Sequence, residues 1–159
     1  MKFGIPSGIR LYCMTCEKSV DTLVENGEKI YPNRSDLADH VFLMCPNCHN
    51  YVSADQLRPH DSFIKWKHRH DKKVIPTKAC RKYRRLVHQI IDPLWQEGVF
   101  QRNYIYKRLS EATGTNYHNS SLNDVEVARK AYAEARKLRR EAEALTGRKF
   151  RNTTRIRKL

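Results

Sequence analysis

Two short cysteine pairs, Cys13-Met14-Thr15-Cys16 and Cys45-Pro46-Asn47-Cys48, constrain the fold of this chain more than any other feature. Two residues between thiols allow one tight knuckle to aim both sulfurs at one ion. Two such knuckles supply the four sulfurs of a closed tetrahedral Zn²⁺ site. The same residues could form disulfides or a redox pair. However, the N-terminal stretch Met1-Lys2-Phe3-Gly4-Ile5-Pro6 has no apolar run of export length, so a reducing, cytoplasmic setting is expected, and it favours metal over disulfide. A thioredoxin-type motif would sit in a strand–helix–strand pattern that is absent here. The expectation is one structural zinc ion on Cys13, Cys16, Cys45 and Cys48. Four sulfurs leave no position for a catalytic water. Cys80 falls on an apolar helical stripe and is read as a buried small hydrophobe.

With 159 residues, the chain has room for one ordinary domain or a small metal domain plus a helical one. No segment has the apolar length of a membrane span. The balance of 31 Lys and Arg against 17 Asp and Glu gives a formal net charge of +14. Such an excess repels itself unless an anionic partner neutralises it, and nucleic acid is the usual one. The charge is uneven. The first third is nearly balanced, whereas Lys65, Trp66, Lys67, Arg69, Lys72, Lys73, Arg81, Lys82, Arg84 and Arg85 crowd a short stretch in which Asp71 is the one acid. Arg136 and Arg140 lie on the last helical stretch, and Arg148, Lys149, Arg151, Arg155, Arg157 and Lys158 in an acid-free terminus. Together they are the candidate contacts to DNA or RNA, with Trp66 able to stack among cations. Phe63 and Trp66 could equally pack on the metal module.

The pattern predicts an α+β chain: a zinc-ribbon-like or treble-clef β module over 1–53, a basic connection over 54–76, three helices over 77–146 packed on that module, and a flexible basic tail over 147–159. Ser19–Glu25 reads as a strand, Asn26-Gly27 as a hairpin turn and Glu28–Tyr31 as the return strand. A short turn follows at Asp36–Asp39, then strands at Val41–Met44 and Tyr51–Ser53. Tyr83, Leu86, Val87, Ile90 and Ile91 recur at helical spacing, and Asp92-Pro93 is expected to end or kink that helix. The second helix is expected at Asn103–Ala112 with Gly114 beyond its end. The third is expected to start at Asn123 or Asp124 and close at Gly147.

These residues, taken in order, resemble an uncharacterised zinc-finger-containing family found mainly in tailed phages and prophages. The resemblance rests on Cys13 and Cys16, Tyr31-Pro32, Asp36-Leu37-Ala38, Cys45-Pro46-Asn47-Cys48, Tyr51-Val52, His88, Asp92-Pro93-Leu94-Trp95, Arg102 with Tyr106, and His118 with Asp124-Val125-Glu126. It implies bound zinc, a small helical second half and an origin in a phage, hence a host-cell cytoplasm. It names no activity. The chain departs from the family's pattern after Val52, where Ser53-Ala54-Asp55 replaces a Gly-Cys-His, and near Ala128, where a late cysteine is missing. Besides nucleic acid, a host protein or ribonucleoprotein machine such as RNA polymerase, a defence complex or the ribosome is a possible partner. A zinc-stabilised nuclease drawing on His88, His118 and Asn119 is a further alternative, although their spacing from the knuckles is wrong for a compact His-Asn-His unit.

Overall fold

The computed structural model describes residues 9–54, 74–118 and 122–152, and the chain divides into two units, Met1–Thr77 and Lys78–Leu159. The expected contacts Lys65, Trp66, Lys67, Arg69, Lys72, Lys73, Arg155, Arg157 and Lys158 lie outside the described residues, as do Phe63 and Asn119.

The first unit holds two small antiparallel sheets. Strand β1 (Arg10–Cys13) pairs with β2 (Lys18–Asp21), with Leu11 opposite Val20 and Cys13 opposite Lys18. A second sheet has the order β3 (Leu23–Asn26), β4 (Val41–Met44), β5 (Tyr51–Ser53). The strand expected at Ser19–Glu25 is therefore two strands in two sheets. Thr22 separates them, and its amide and hydroxyl both donate to the Ile9 carbonyl at 2.9 Å. Alternation along the strands sends Leu11, Val20, Leu43 and Val52 into one small core with Ile9, Ala54 and Ile75.

Asn26-Gly27 does not turn a hairpin. Asn26 caps a one-turn helix, α1 (Gly27–Ile30), its side-chain oxygen accepting from the Lys29 amide at 3.0 Å. The partner of β3 is the distant β4 rather than a return strand, so Glu28–Tyr31 is free to coil. A 3-10 turn at Ser35–Leu37 then leads into β4.

Backbone hydrogen bonds hold the described residues at either end of the basic connection. The Ala54 amide donates to the Val41 carbonyl at 2.8 Å. At the far end, Ile75 bridges Cys13 in parallel: its amide donates to the Tyr12 carbonyl at 2.9 Å, and the Met14 amide donates back at 3.0 Å. Both ends of the cation-rich stretch are thus fixed in the core of the metal-bearing unit.

The second unit is helical: α2 (Lys78–Gln96), α3 (Arg102–Thr113) and α4 (Val125–Thr146). Asp124 caps α4 by accepting from the Glu126 and Val127 amides. Gly114 and Gly147 close α3 and α4 in the left-handed region, as their positions in the sequence suggested. Pro93 does not end α2, which runs three residues past it to Gln96. Pro93 and Leu94 are buried there, so core packing holds the turn that the local signal would break. Contacts run in the same order along α2 and α4: Cys80 with the Asn123 carbonyl, the Tyr83 ring on Tyr132, Glu97 with Arg148. The two helices therefore lie side by side and parallel. Their shared core includes Val87, Ile90, Ile91, Leu94, Ala131 and Leu138.

Gly147 was expected to begin a free tail. Instead, Phe150 returns to this core at 6% exposure, and its amide donates to Glu143 at 3.2 Å. Burial of the Phe150 ring opposes the entropy of ordering this segment, and Arg148, Lys149 and Asn152 add exposed contacts to Glu97, Glu143 and Arg139.

Arg108 joins α3 to α4. Its guanidinium donates to Glu134 at 2.6 Å, to Glu141 at 2.9 Å and to the Tyr104 hydroxyl at 2.8 Å. Glu141 and the other partners push the Arg108 pKa well up, and Arg108 holds the Glu141 carboxyl below its ordinary value. Glu134 is itself buried, so Arg108→Met leaves its charge with only the longer Lys137 contact at 3.6 Å among the described residues. The expected loss is about 2–4 kcal/mol, between a surface pair and a buried one. A depressed carboxylate stabilises the fold above its unfolded pKa and stops doing so as pH falls through the folded value. Urea titrations should therefore show the gap between wild type and Arg108→Met narrowing from pH 7 toward pH ~3. A constant gap would refute this account.

Candidate metal centre and the cationic surface

Each cysteine pair sits at the turn of a hairpin, which is the ribbon rather than the treble-clef arrangement. Cys13 ends β1, and Cys16 lies in the turn before β2. Cys45 follows β4, and Cys48 lies in the turn before β5. The second knuckle is closed by the Cys45 amide donating to the Asn50 carbonyl at 2.7 Å and the His49 amide donating to the Cys45 carbonyl at 3.0 Å. In both knuckles the residue after the second cysteine is left-handed, Glu17 at φ 52° and His49 at φ 60°. Neither is glycine, so each stores strain of about 1 kcal/mol that the closed site must hold. Asn50, 4% exposed, donates to the Thr15 hydroxyl at 2.6 Å and ties one knuckle to the other.

The four Sγ atoms lie within 4.8 Å of one another, with Cys13 and Cys48 3.6 Å apart and Cys16 and Cys45 3.8 Å apart. Zinc–sulfur bonds of about 2.3 Å in a tetrahedron require sulfurs about 3.8 Å apart, so the set fits the ion. None of the four is in a disulfide. The electrostatics agree. Burial pushes the Cys13 thiol up; burial and the neighbouring thiols push Cys16 up to about 12. Burial acts the same way on Cys45, but the amides of Cys48 and Asn47 outweigh it and bring it down to about 7. Four thiolates cannot share this space without a cation, and one divalent ion relieves the repulsion. The site is closed and structural. Cys80 lies in the helical unit, buried, with its thiol donating to the Asn123 carbonyl at 3.2 Å.

The expected nucleic-acid contacts fall into different surroundings. Lys82, Arg85, Arg136, Arg140 and Arg151 are exposed, and Arg81 is half-buried. Arg84 is turned inward, donating to the Leu122 carbonyl at 3.0 Å and to the Asn123 side chain, and burial lowers its pKa. Arg148 pairs with Glu97 at 2.7 Å over the Phe150 ring, and Lys149 pairs with Glu143 at 3.2 Å. Lys78 and Lys130 are exposed cations outside the expected set. Lys78, Lys82 and Arg85 follow i, i+4, i+7 spacing, which would have placed them on one face of α2.

His88 is half-buried, its Nδ1 3.2 Å from an Asp92 oxygen that also accepts from the Trp95 indole at 3.3 Å. The carboxylate fixes the imidazole with Nδ1–H as donor. His88 Nε2 is buried and has no hydrogen-bond partner among the described residues, so the ring clamps one turn of α2 rather than offering a base to solvent. His118 is exposed.

A family model described as a zinc-finger-containing domain matches residues 10–141. No curated protein and no solved structure matches the chain.

Proposed function

The chain belongs to this zinc-finger-containing family, and from that premise we propose that it is a zinc-stabilised nucleic-acid-binding protein of phage origin, acting in the host cytoplasm. The observation that carries the reading is the separation of two kinds of cation. Arg84 and Arg108 are consumed inside the helical unit. Lys78, Lys82, Arg85, Lys130 and Arg140 are exposed and make no ion pair among the described residues. No acid lies between Asp71 and Asp92. A helix face carrying only positive charge fits phosphate, and phosphate contacts position a polyanion without reading its sequence.

The zinc centre supports the same reading indirectly. The stretch holding Lys65, Lys67, Arg69, Lys72 and Lys73 is anchored at Ala54 and Ile75 in the core that the metal closes. Zinc would therefore help hold Ala54 and Ile75, the described residues on either side of that stretch. No helix among the described residues is long and apolar enough to cross a membrane.

Fluorescence anisotropy with labelled strands and duplexes of about 20 nucleotides is the test. Six or more neutralised phosphates predict a log–log salt slope of about −4 or steeper. Binding that is absent at low salt, or unchanged as salt rises, would overturn the proposal. In that case, a protein retained from nuclease-treated host lysate would point to a host machine instead.

A further inference from the structure

The parallel packing of α2 and α4 leaves a seam on the surface of the helical unit, and aromatic rings lie along it. The Tyr83 and Tyr132 rings meet with centroids 5.7 Å apart and a 58° tilt. Both are half-buried: one side rests on the core, the rest reaches the surface. Arg136 stands over Tyr132 at 5.9 Å, and Arg129, one turn before Tyr132 on α4, is ion-paired to Glu126. Lys82, one residue before Tyr83, is exposed, as are Arg129 and Arg136. Among the described residues the one acid ion-paired to these groups is Glu126, on Arg129.

Two tyrosine rings between cations have a ready packing explanation, since each covers core. Packing alone does not require that the groups placed over and beside them be arginines. A guanidinium over a ring face is attracted to the ring and still directs its outer N–H groups to solvent. A polynucleotide strand matches that surface: phosphates meet Lys82 and Arg136, and a base can stack on a tyrosine ring or the arginine plane above it. Duplex DNA presents phosphates but keeps its bases stacked, so it would leave the aromatic part of the seam unused.

We infer that the α2–α4 seam, Lys82, Tyr83, Arg129, Tyr132 and Arg136, is a binding track for single-stranded nucleic acid. This rests on the nucleic-acid reading above and adds the site and the strandedness.

The test uses the full-length zinc-loaded protein and labelled oligo(dT), oligo(U) and mixed-sequence duplex of about 20 units, a length that covers the usual single-strand site sizes. The double variant Lys82→Glu with Arg136→Glu changes exposed side chains only, and an unchanged thermal midpoint will show that it is folded. It should bind at least one strand about tenfold more weakly or worse. A strand carrying photoreactive 5-iodouracil should cross-link to peptides containing Tyr83 or Tyr132. The oligo(dT) and oligo(U) arms show whether deoxyribose or ribose strands are preferred. If the double variant binds strands as wild type does, while a variant with Lys65, Lys67, Arg69, Lys72 and Lys73 changed to Glu does not, the seam is overturned and nucleic-acid binding stands. Tighter binding to duplex than to either strand likewise overturns the seam alone. No binding to any of the three overturns both.

Discussion

Stripping zinc is expected to unfold the first unit and spare the second. The small core of the first unit contains Ile9, Leu11, Val20, Leu43, Val52, Ala54 and Ile75 around the cysteines, too little apolar area to offset the entropy of ordering its strands. A structural zinc bound by such a domain contributes roughly 10–16 kcal/mol of apparent binding free energy at neutral pH, and that is folding free energy. The helical unit has its own core through Val87, Ile91, Leu94, Ile105, Leu109 and Leu138. A strong chelator at pH 7, or Cys13→Ser or Cys45→Ser, should abolish amide protection in β1–β5 while far-UV circular dichroism keeps its helical signal. Protected β-strand amides in metal-free protein would contradict this. The sign of the pH dependence follows from the thiols. In metal-free protein the unfolded unit leaves its cysteines as ordinary thiols, with pKa about 8.5 and mostly protonated at pH 7. Zinc must displace those protons, so binding at pH 7 releases protons, and affinity rises with pH. Calorimetry in buffers of different ionisation enthalpy measures that release.

Gly27→Ala is expected to be among the most damaging single-methyl additions in the chain. Gly27 is buried at the start of α1, and a methyl group there would overlap the Leu37 carbonyl, which is backbone and cannot swing aside. That carbonyl accepts from the His40 amide at 2.9 Å, one residue before β4. Relief of the clash therefore displaces the entry to the central strand of the second sheet. The cost should be about 3 kcal/mol or more, at the upper end of overpacking. Asn26→Ala, one residue away, removes a cap and should cost about 1 kcal/mol. Chelator-challenge rates and thermal midpoints of the two variants settle the order. Equal effects would mean that the 3-10 turn yields easily.

Gly27 also shows what was legible in the sequence. Asn-Gly after an alternating run is a strong hairpin signal, and it was misleading here because hairpin chemistry is local while the partner of β3, β4, lies beyond α1 and the 3-10 turn. The glycine is required by a close approach of backbone to backbone, which no local pattern reveals. Pro93 is the same lesson in a helix: the local rule ends or kinks α2, and α2 continues to Gln96 with Pro93 and Leu94 buried. Phe150 sits in an acid-free basic terminus whose composition reads as solvated, and it is core. The expected contact Arg84 was chosen for its charge, yet its neighbours Leu122 and Asn123 lie far along the chain. Helix ends were read correctly where the cause is local: Asp124 accepting from its own helix, Gly114 and Gly147 in the left-handed region.

Four cysteines in two matched pairs determined by themselves that the chain would hold one closed, structural zinc, because ligand chemistry and knuckle spacing are properties of a few adjacent residues. The order of β module and helices followed from periodicity, which is also local. Tertiary structure alone decided which cations remain available to a partner. Whether an arginine stays exposed or donates to a carbonyl of its own chain depends on what distant residues bring against it, as Arg136 and Arg84 show on adjacent, parallel helices.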